Sequence, residues 1–356
     1  MLRLLTVVGA RPQFIKAAAI SHTIRDKYRG CVAEDLLHTG QHYDDAMSAR
    51  FFDELDIPAP RYNLGVGSST HGAQTAAMLK GIEEVLLAER YDAVLVYGDT
   101  NSTLAGALAA AKLAVPVVHV EAGLRSHNDA MPEELNRVLT DHASTLLFAP
   151  TMSAVRNLES EGISSKRVVM SGDVMLDNVR HYATCALTHN VVGNEVVLLT
   201  IHRNFNADSP QRLKNILDGV DAAACAKDAM VLFPVHPRTR QRLGAVVYDH
   251  IRMVEPLSYL QTLAALQSVR LVMTDSGGLQ KEAFFCGKPC VVLRPETEWT
   301  EIVECGAARL TAPSSEAVAK AAIEMWDKVP VPPTQFGNGH AADTMVASML
   351  NQLSGA

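Results

Sequence analysis

A chain of 356 residues with 48% hydrophobic and 20% charged side chains holds enough apolar material for two domains, each with its own core. A formal net charge of −7 argues against nucleic acid as the main partner, which needs a basic footprint, and no apolar run reaches the ~18 residues of a membrane span. The six cysteines, at 31, 185, 225, 286, 290 and 305, include no Cys-x-x-Cys pair, and Cys286-x-x-x-Cys290 has no histidine nearby to complete a zinc site, so the expectation is a cytoplasmic protein with reduced thiols and no metal.

The opening stretch Met1–Gly9 is apolar, like the core of a signal peptide, but it is short and runs straight into Ala10-Arg11-Pro12-Gln13-Phe14-Ile15-Lys16 with no small-residue cleavage site. It reads as a buried first strand, Leu4–Val8. Further runs rich in Val, Leu and Ile predict strands at Ala93–Tyr97, Val115–Val120, Leu146–Phe148, Val168–Met170, Val196–Ile201, Met230–Val235, Leu271–Met273 and Cys290–Leu293. Between them, helical spacing predicts helices over Ile15–Lys27, Ala73–Glu89, Ser102–Leu113, Glu133–Ala143 and Pro210–Ala226. Strands buried on both faces and alternating with helices mean an α/β fold with parallel, doubly wound sheets. There are too many strands for one sheet. The stretch Leu176–Asn194 is poor in strong apolar runs, which places a linker near residues 172–190. One Rossmann-like domain is thus expected over 1–175 and a second over 185–338, facing across a cleft. The last helix, Gly339–Leu353 within residues 339–356, is expected to pack back on the first.

In doubly wound sheets, ligands sit beyond the carboxyl ends of the strands, and the unusual residues of this chain cluster there. The first strand ends at Gly9-Ala10-Arg11-Pro12, where Arg11 can fork onto a phosphate and Lys16 lies in the following helix. Other strands end at Gly98-Asp99-Thr100-Asn101, Glu121-Ala122-Gly123, His202-Arg203-Asn204, His236-Pro237-Arg238 and Asp275-Ser276-Gly277-Gly278. The last of these is the most telling. A buried strand that breaks at Ser276-Gly277-Gly278 and opens a helix leaves N–H groups at the positive end of the helix dipole, a place to hold phosphate. Glu282, about one and a half turns in, can accept from a sugar hydroxyl attached to that phosphate. An ordinary strand-to-helix turn is the competing account. Neither a Walker loop nor a Gly-x-Gly-x-x-Gly fingerprint occurs, so P-loop nucleotide hydrolysis and a bound dinucleotide cofactor both lose ground.

Asp99, Glu121 and Glu133 each lie at a strand end or helix start, and converging carboxylates can raise one another's pKa into the range of acid–base chemistry. Glu133 and Glu134 can also simply favour a helix N-terminus. That helix carries Arg137. His202 ends a buried strand, where its ring can donate to a phosphate oxygen or, as a catalytic acid, protonate a leaving group. His236 is a similar candidate, and His119, inside a strand, reads as a satisfied core histidine.

Taken together, Gly9-Ala-Arg-Pro-Gln-Phe-Ile-Lys16, Thr39-Gly-Gln-His42, Tyr97-Gly-Asp-Thr-Asn-Ser-Thr103, His119-Val-Glu-Ala-Gly-Leu-Arg125, Pro132-Glu-Glu-Leu-Asn-Arg137, Thr200-Ile-His-Arg203, Thr274-Asp-Ser-Gly-Gly-Leu-Gln-Lys-Glu282 and Thr297-Glu298 resemble, in order, the non-hydrolysing UDP-N-acetylglucosamine 2-epimerases. The resemblance runs from about residue 1 to 310. It implies a glycosyltransferase-B-like fold, a homodimer, no cofactor, a UDP-sugar substrate, and a place in surface polysaccharide supply. It also implies that UDP is eliminated to leave a 2-acetamidoglucal and then added back. Arg11, His202, Ser276 and Gly277 would contact the diphosphate, with Gly278 and His236 beside them, and Glu282 the ribose. Lys16, Asp99, Glu121, Glu133 and Arg137 would line the sugar side.

Some positions depart from the commoner family pattern. Gln13 stands where Glu is commoner, Glu298-Trp299 replaces Glu-Arg, and Gln41-His42-Tyr43-Asp44-Asp45-Ala46-Met47 replaces the Gln-His-Arg-Glu-Met of members with an allosteric site. The last of these departures speaks against that allosteric regulation, while the run Pro12-Gln13-Phe14-Ile15-Lys16-Ala17, with Lys281-Glu282-Ala283-Phe284 and Thr297-Glu298-Trp299, resembles the branch that epimerises UDP-2,3-diacetamido-2,3-dideoxyglucuronate. A hydrolysing epimerase, a glycosyltransferase and a non-catalytic nucleotide-sugar sensor are the remaining alternatives.

Overall fold

The structure, a computed structural model, describes residues 1–41, 52–189, 196–235, 237–243, 247–331 and 334–353, without the side chains of Pro237 and Arg238. His236 and residues 42–47 of the segment at Gln41 therefore lie outside the described residues. The chain divides into two compact units, Met1–Asn178 with Thr334–Ala356, and Val179–Pro333.

The first unit is built on a seven-stranded parallel sheet of β1 (Leu2–Val8), β2 (Val32–His38), β3 (Tyr62–Asn63), β4 (Ala93–Tyr97), β5 (Val117–Val120), β6 (Leu146–Ala149) and β7 (Val168–Met170), in the order β3-β2-β1-β4-β5-β6-β7. The second carries a six-stranded parallel sheet of β8 (Val196–Thr200), β9 (Met230–Pro234), β10 (Ile251–Val254), β11 (Leu271–Thr274), β12 (Cys290–Val292) and β13 (Ala308–Leu310), in the order β10-β9-β8-β11-β12-β13. All five residues of β4 and of β8 are buried, as strands covered on both faces must be. Strand order reverses between β1 and β4 and again between β8 and β11, which makes two topological switch points. Leu5, Val7, Val94 and Val96 anchor one core, and Leu199, Phe233, Met273 and Val291 the other.

Four strands, β2, β3, β10 and β13, have no counterpart among the sequence-based expectations. Three of them are sheet edges of two to four residues, where burial on both faces no longer imposes an apolar run. In β2 the apolar pattern is broken by Glu34, whose carboxylate accepts from Thr6 Oγ1 at 2.6 Å and Ser21 Oγ at 2.7 Å. The stretch assigned to a linker contains a helix, Val174–Ala186, and the division between units falls inside it. Within the first unit the helix Ala341–Leu353 packs on the helix Arg11–Lys27. It begins where the Asp177 carboxylate accepts the N–H groups of Ala341 and Ala342, at 3.1 and 2.9 Å.

Candidate active site

At the first switch point the chain leaves β1 directly into the helix Arg11–Lys27, with a Pro in the first turn. The residue at its N-cap, Ala10, has no side-chain oxygen to offer. Gln13 supplies one instead: its Oε1 accepts the N–H groups of Gly9 (2.8 Å) and Ala10 (3.0 Å), and its Nε2 donates to the Tyr97 carbonyl (2.9 Å) and Thr103 Oγ1 (3.0 Å). One buried amide thus ties the β1 turn to the β4 turn. Arg11 is the first residue of the helix and half-buried. Lys16, further along, pairs with Glu121, both side chains being almost buried.

Glu121 follows β5 with φ at +74°, a left-handed backbone that non-glycine residues seldom take and that concentrates at functional sites. Its carboxylate and the Lys16 ammonium lie over Gly98, where an added Cβ would come within 3.1 Å of Lys16 Nζ and 3.3 Å of Glu121 Oε2. The next residue, Asp99, is 2.5 Å from Arg137 Nη2. Lys16, Asp99, Glu121 and Arg137 are therefore brought to one turn.

Of the two acids opening the helix Pro132–Ala143, Glu133 is half-buried at its first turn. Glu134 is the locked one. It accepts the N–H groups of Ser126 and His127 at 3.0 and 2.9 Å and pairs with Arg137 Nη1 at 2.6 Å. Burial raises its pKa, but these hydrogen bonds and the Arg137 charge prevail and hold it below the usual carboxylate range. His119 is a core histidine in its burial, with Nδ1 2.7 Å from Asp141 Oδ1 and Nε2 2.8 Å from the Gly98 carbonyl.

In the second unit, the turn after β8 and the turn after β11 are joined by Asp275. This fully buried carboxylate accepts His202 N–H at 2.8 Å, Arg203 N–H at 3.1 Å and Asn206 Nδ2 at 3.0 Å. Thr200 and Thr274 hydroxyls bond at 2.6 Å just below. His202 is left exposed at the end of β8. Ser276 caps the helix Gly277–Phe285, accepting from Leu279 N–H at 3.4 Å, and Gly278 is exposed in its first turn. Gly277 faces Glu298: a Cβ there would lie 2.1 Å from Glu298 Oε1. Glu298 is itself held by the buried Arg294 at 2.8 Å. Glu282 is buried one and a half turns into the helix. The preceding residue, Lys281, is also buried, with its ammonium 4.0 Å from the centre of the Trp299 ring. Among the described residues no three His, Cys, Asp or Glu side chains gather as a metal site.

Sequence reasoning passed over the parts played by Gln13, Glu134, Asp141 and Asp275. Asp275 carried the clearest signal, since a carboxylate placed directly after a buried strand must find N–H donors if it is to stay there.

A profile described as UDP-N-acetylglucosamine 2-epimerase matches residues 27–350. The chain belongs to the UDP-N-acetylglucosamine 2-epimerase family. It is 45% identical to the UDP-2,3-diacetamido-2,3-dideoxy-D-glucuronate 2-epimerase of Pseudomonas aeruginosa, over 99% of this chain and 100% of that one. The crystal structure of the Methanocaldococcus jannaschii UDP-GlcNAc 2-epimerase in complex with UDP-GlcNAc and UDP superposes with a TM-score of 0.91 at 40% identity, covering 98% and 100% of the two chains. The fold of this epimerase family is glycosyltransferase-B-like, and the glycosyltransferase SnogD of Streptomyces nogalater shares it at 14% identity and a TM-score of 0.57, over 99% of this chain and 95% of that one. Among the described residues no helix is long and apolar enough to cross a membrane.

Proposed function

We propose that this protein is an isomerase that converts UDP-N-acetylglucosamine reversibly to UDP-N-acetylmannosamine. The observation that carries this reading is the Gly98 turn, where two carboxylates, Glu121 and Asp99, each stand beside a cation, Lys16 and Arg137. Inversion at C2 of a sugar without a C1 carbonyl is hard, because the C2 hydrogen is barely acidic. Breaking the C1–O bond to UDP gives C1 cationic character and makes that hydrogen labile. A carboxylate takes the proton as UDP leaves, forming a 2-acetamidoglucal. A β-phosphate oxygen of UDP then adds back to C1 while an acid returns a proton to the opposite face of C2. Asp99, Glu121 and Glu133 are assigned to these transfers, with Lys16 and Arg137 beside the sugar. Arg11, His202, His236, Ser276, Gly277 and Gly278 are assigned to the diphosphate and Glu282 to the ribose, the helix N-terminus supplying N–H donors. The working form is proposed to be a homodimer in the cytoplasm.

The 45% identity to the Pseudomonas aeruginosa enzyme favours a second substrate, the UDP-linked 2,3-diacetamido-2,3-dideoxyglucuronate. Both nucleotide sugars should be incubated with the purified protein in D2O and followed by NMR. A C2 epimer carrying deuterium at C2 from either supports the reading. Retained protium at C2 would overturn the elimination route. Free N-acetylmannosamine with UDP would mark a hydrolysing enzyme, and no epimer from either sugar would return the chain to the transferase or sensor readings.

A further inference from the structure

Behind the Gly98 turn lies a run of alternating charges that the proton transfers do not use. Glu161 receives Arg125 Nε at 2.6 Å and Nη2 at 2.7 Å, and Arg125 Nη2 is also 2.8 Å from Asp141 Oδ2. Asp141 meets His119 Nδ1, and His119 Nε2 meets the Gly98 carbonyl. Asp141 also accepts the Gly123 N–H at 3.1 Å. A carbonyl only accepts, so the bond to Gly98 requires hydrogen on Nε2 of His119.

The two peptide groups fixed in this way bracket the carboxylates of the proposed site. Asp99 follows Gly98, and Glu121 sits between His119 and Gly123. Buried ion pairs are poor sources of stability, since apolar replacements are often neutral or better. What this pair does specifically is end on the carbonyl of the turn that carries Asp99. We propose that His119 is a positioning residue: by holding the Gly98 carbonyl it sets the direction in which Asp99 meets Arg137 and the place where Glu121 lies against Lys16. The proposal rests on the epimerase reading above.

The test separates the two ring nitrogens. In His119→Gln the amide falls near the place of Nε2 and can still donate to Gly98, whereas in His119→Asn it falls near Nδ1 and can serve only Asp141. Turnover of His119→Asn is expected to fall about 10²-fold, the usual cost of misplacing a reacting group by about 1 Å. His119→Gln should stay within about tenfold of wild type, KM should move little in either, and UDP affinity by calorimetry should be unchanged. Equal losses of turnover in the two variants, or none in either, would overturn the proposal while an active wild type leaves the epimerase reading standing. An inactive wild type would instead count against that reading. A measurement on the wild-type protein needs no variant: with 15N-labelled histidine, one ring should show a slowly exchanging Nε2–H signal, the donor to the Gly98 carbonyl. Its absence would also overturn the tether.

Discussion

Gln13 makes all four hydrogen bonds open to a primary amide, two as acceptor and two as donor. A carboxylate of the same length could keep the Gly9 and Ala10 bonds but would face the Tyr97 carbonyl without a proton to give. Gln13→Glu is therefore expected to cost about 1–3 kcal/mol, the price of leaving a buried polar group unsatisfied, read as a lowered urea midpoint. For the proposed chemistry, Asp99→Asn and Glu121→Gln should each lower turnover about 10²–10⁴-fold, the usual worth of a positioned acid or base. UDP affinity should hold. Near-normal rates in both would remove these residues from the reaction. The Lys16 and Glu121 pairing involves groups legible in the sequence, Glu121 as a charge placed just after a buried strand and Lys16 as one in the helix that follows another. The partners of Asp275 and His119 were harder to place, because they lie 73 and 21 residues away, which no local pattern encodes.

At the level of elements, the turn between β11 and its helix makes opposite demands on two adjacent glycines. Gly277→Ala would drive a Cβ into the Glu298 carboxylate, which Arg294 prevents from moving aside. Around Gly278 the nearest atom to an added Cβ is Ser276 Oγ at 3.9 Å. Alanine is better than glycine in a helix by about 0.8–1 kcal/mol. Thermal melts should show Gly278→Ala equal to or above wild type and Gly277→Ala well below it; a reversed order would show that the Glu298 contact is not what excludes a side chain. The sequence marked this turn as a strand running into a helix, yet Ser-Gly-Gly alone could not tell a close approach to a neighbouring loop from open space. The fully buried strands were legible by their apolar runs, and of the four edge strands only β7 was, because an edge lacks the second covered face that writes such a run.

On the scale of the molecule, the buried charges make stability depend on pH. Burial pushes the Asp141 carboxyl up, but His119 and Arg125 outweigh it, and its pKa is lowered in the folded state. The native protein thus binds fewer protons than the unfolded chain around that range. Its contribution is present above the unfolded value of about 3.9 and is lost as pH falls through the folded one. Asp141→Asn, which leaves Arg125 and His119 short of a counter-charge, should cost about 3–5 kcal/mol at neutral pH. The gap to wild type, measured by denaturant midpoints, should narrow below about pH 4. A constant gap would mean that the carboxylate's charge is not what matters. The α/β class and the two parallel sheets were readable from the spacing of strands and helices. The helix Val174–Ala186 was not, although its buried Met175, Val179, Tyr182 and Ala186 recur at helical spacing, because such a stripe makes no continuous apolar run.

That cap has a further consequence for the order of events during synthesis. Asp177 receives the helix at Ala341 only after 164 more residues have been made. The helix then packs on Arg11–Lys27, and its Met345, Val346 and Met349 are buried. The nascent first unit must therefore wait with that apolar surface open while the whole of the second sheet emerges from the ribosome. A helper protein that shields exposed apolar surface would have its longest opportunity there.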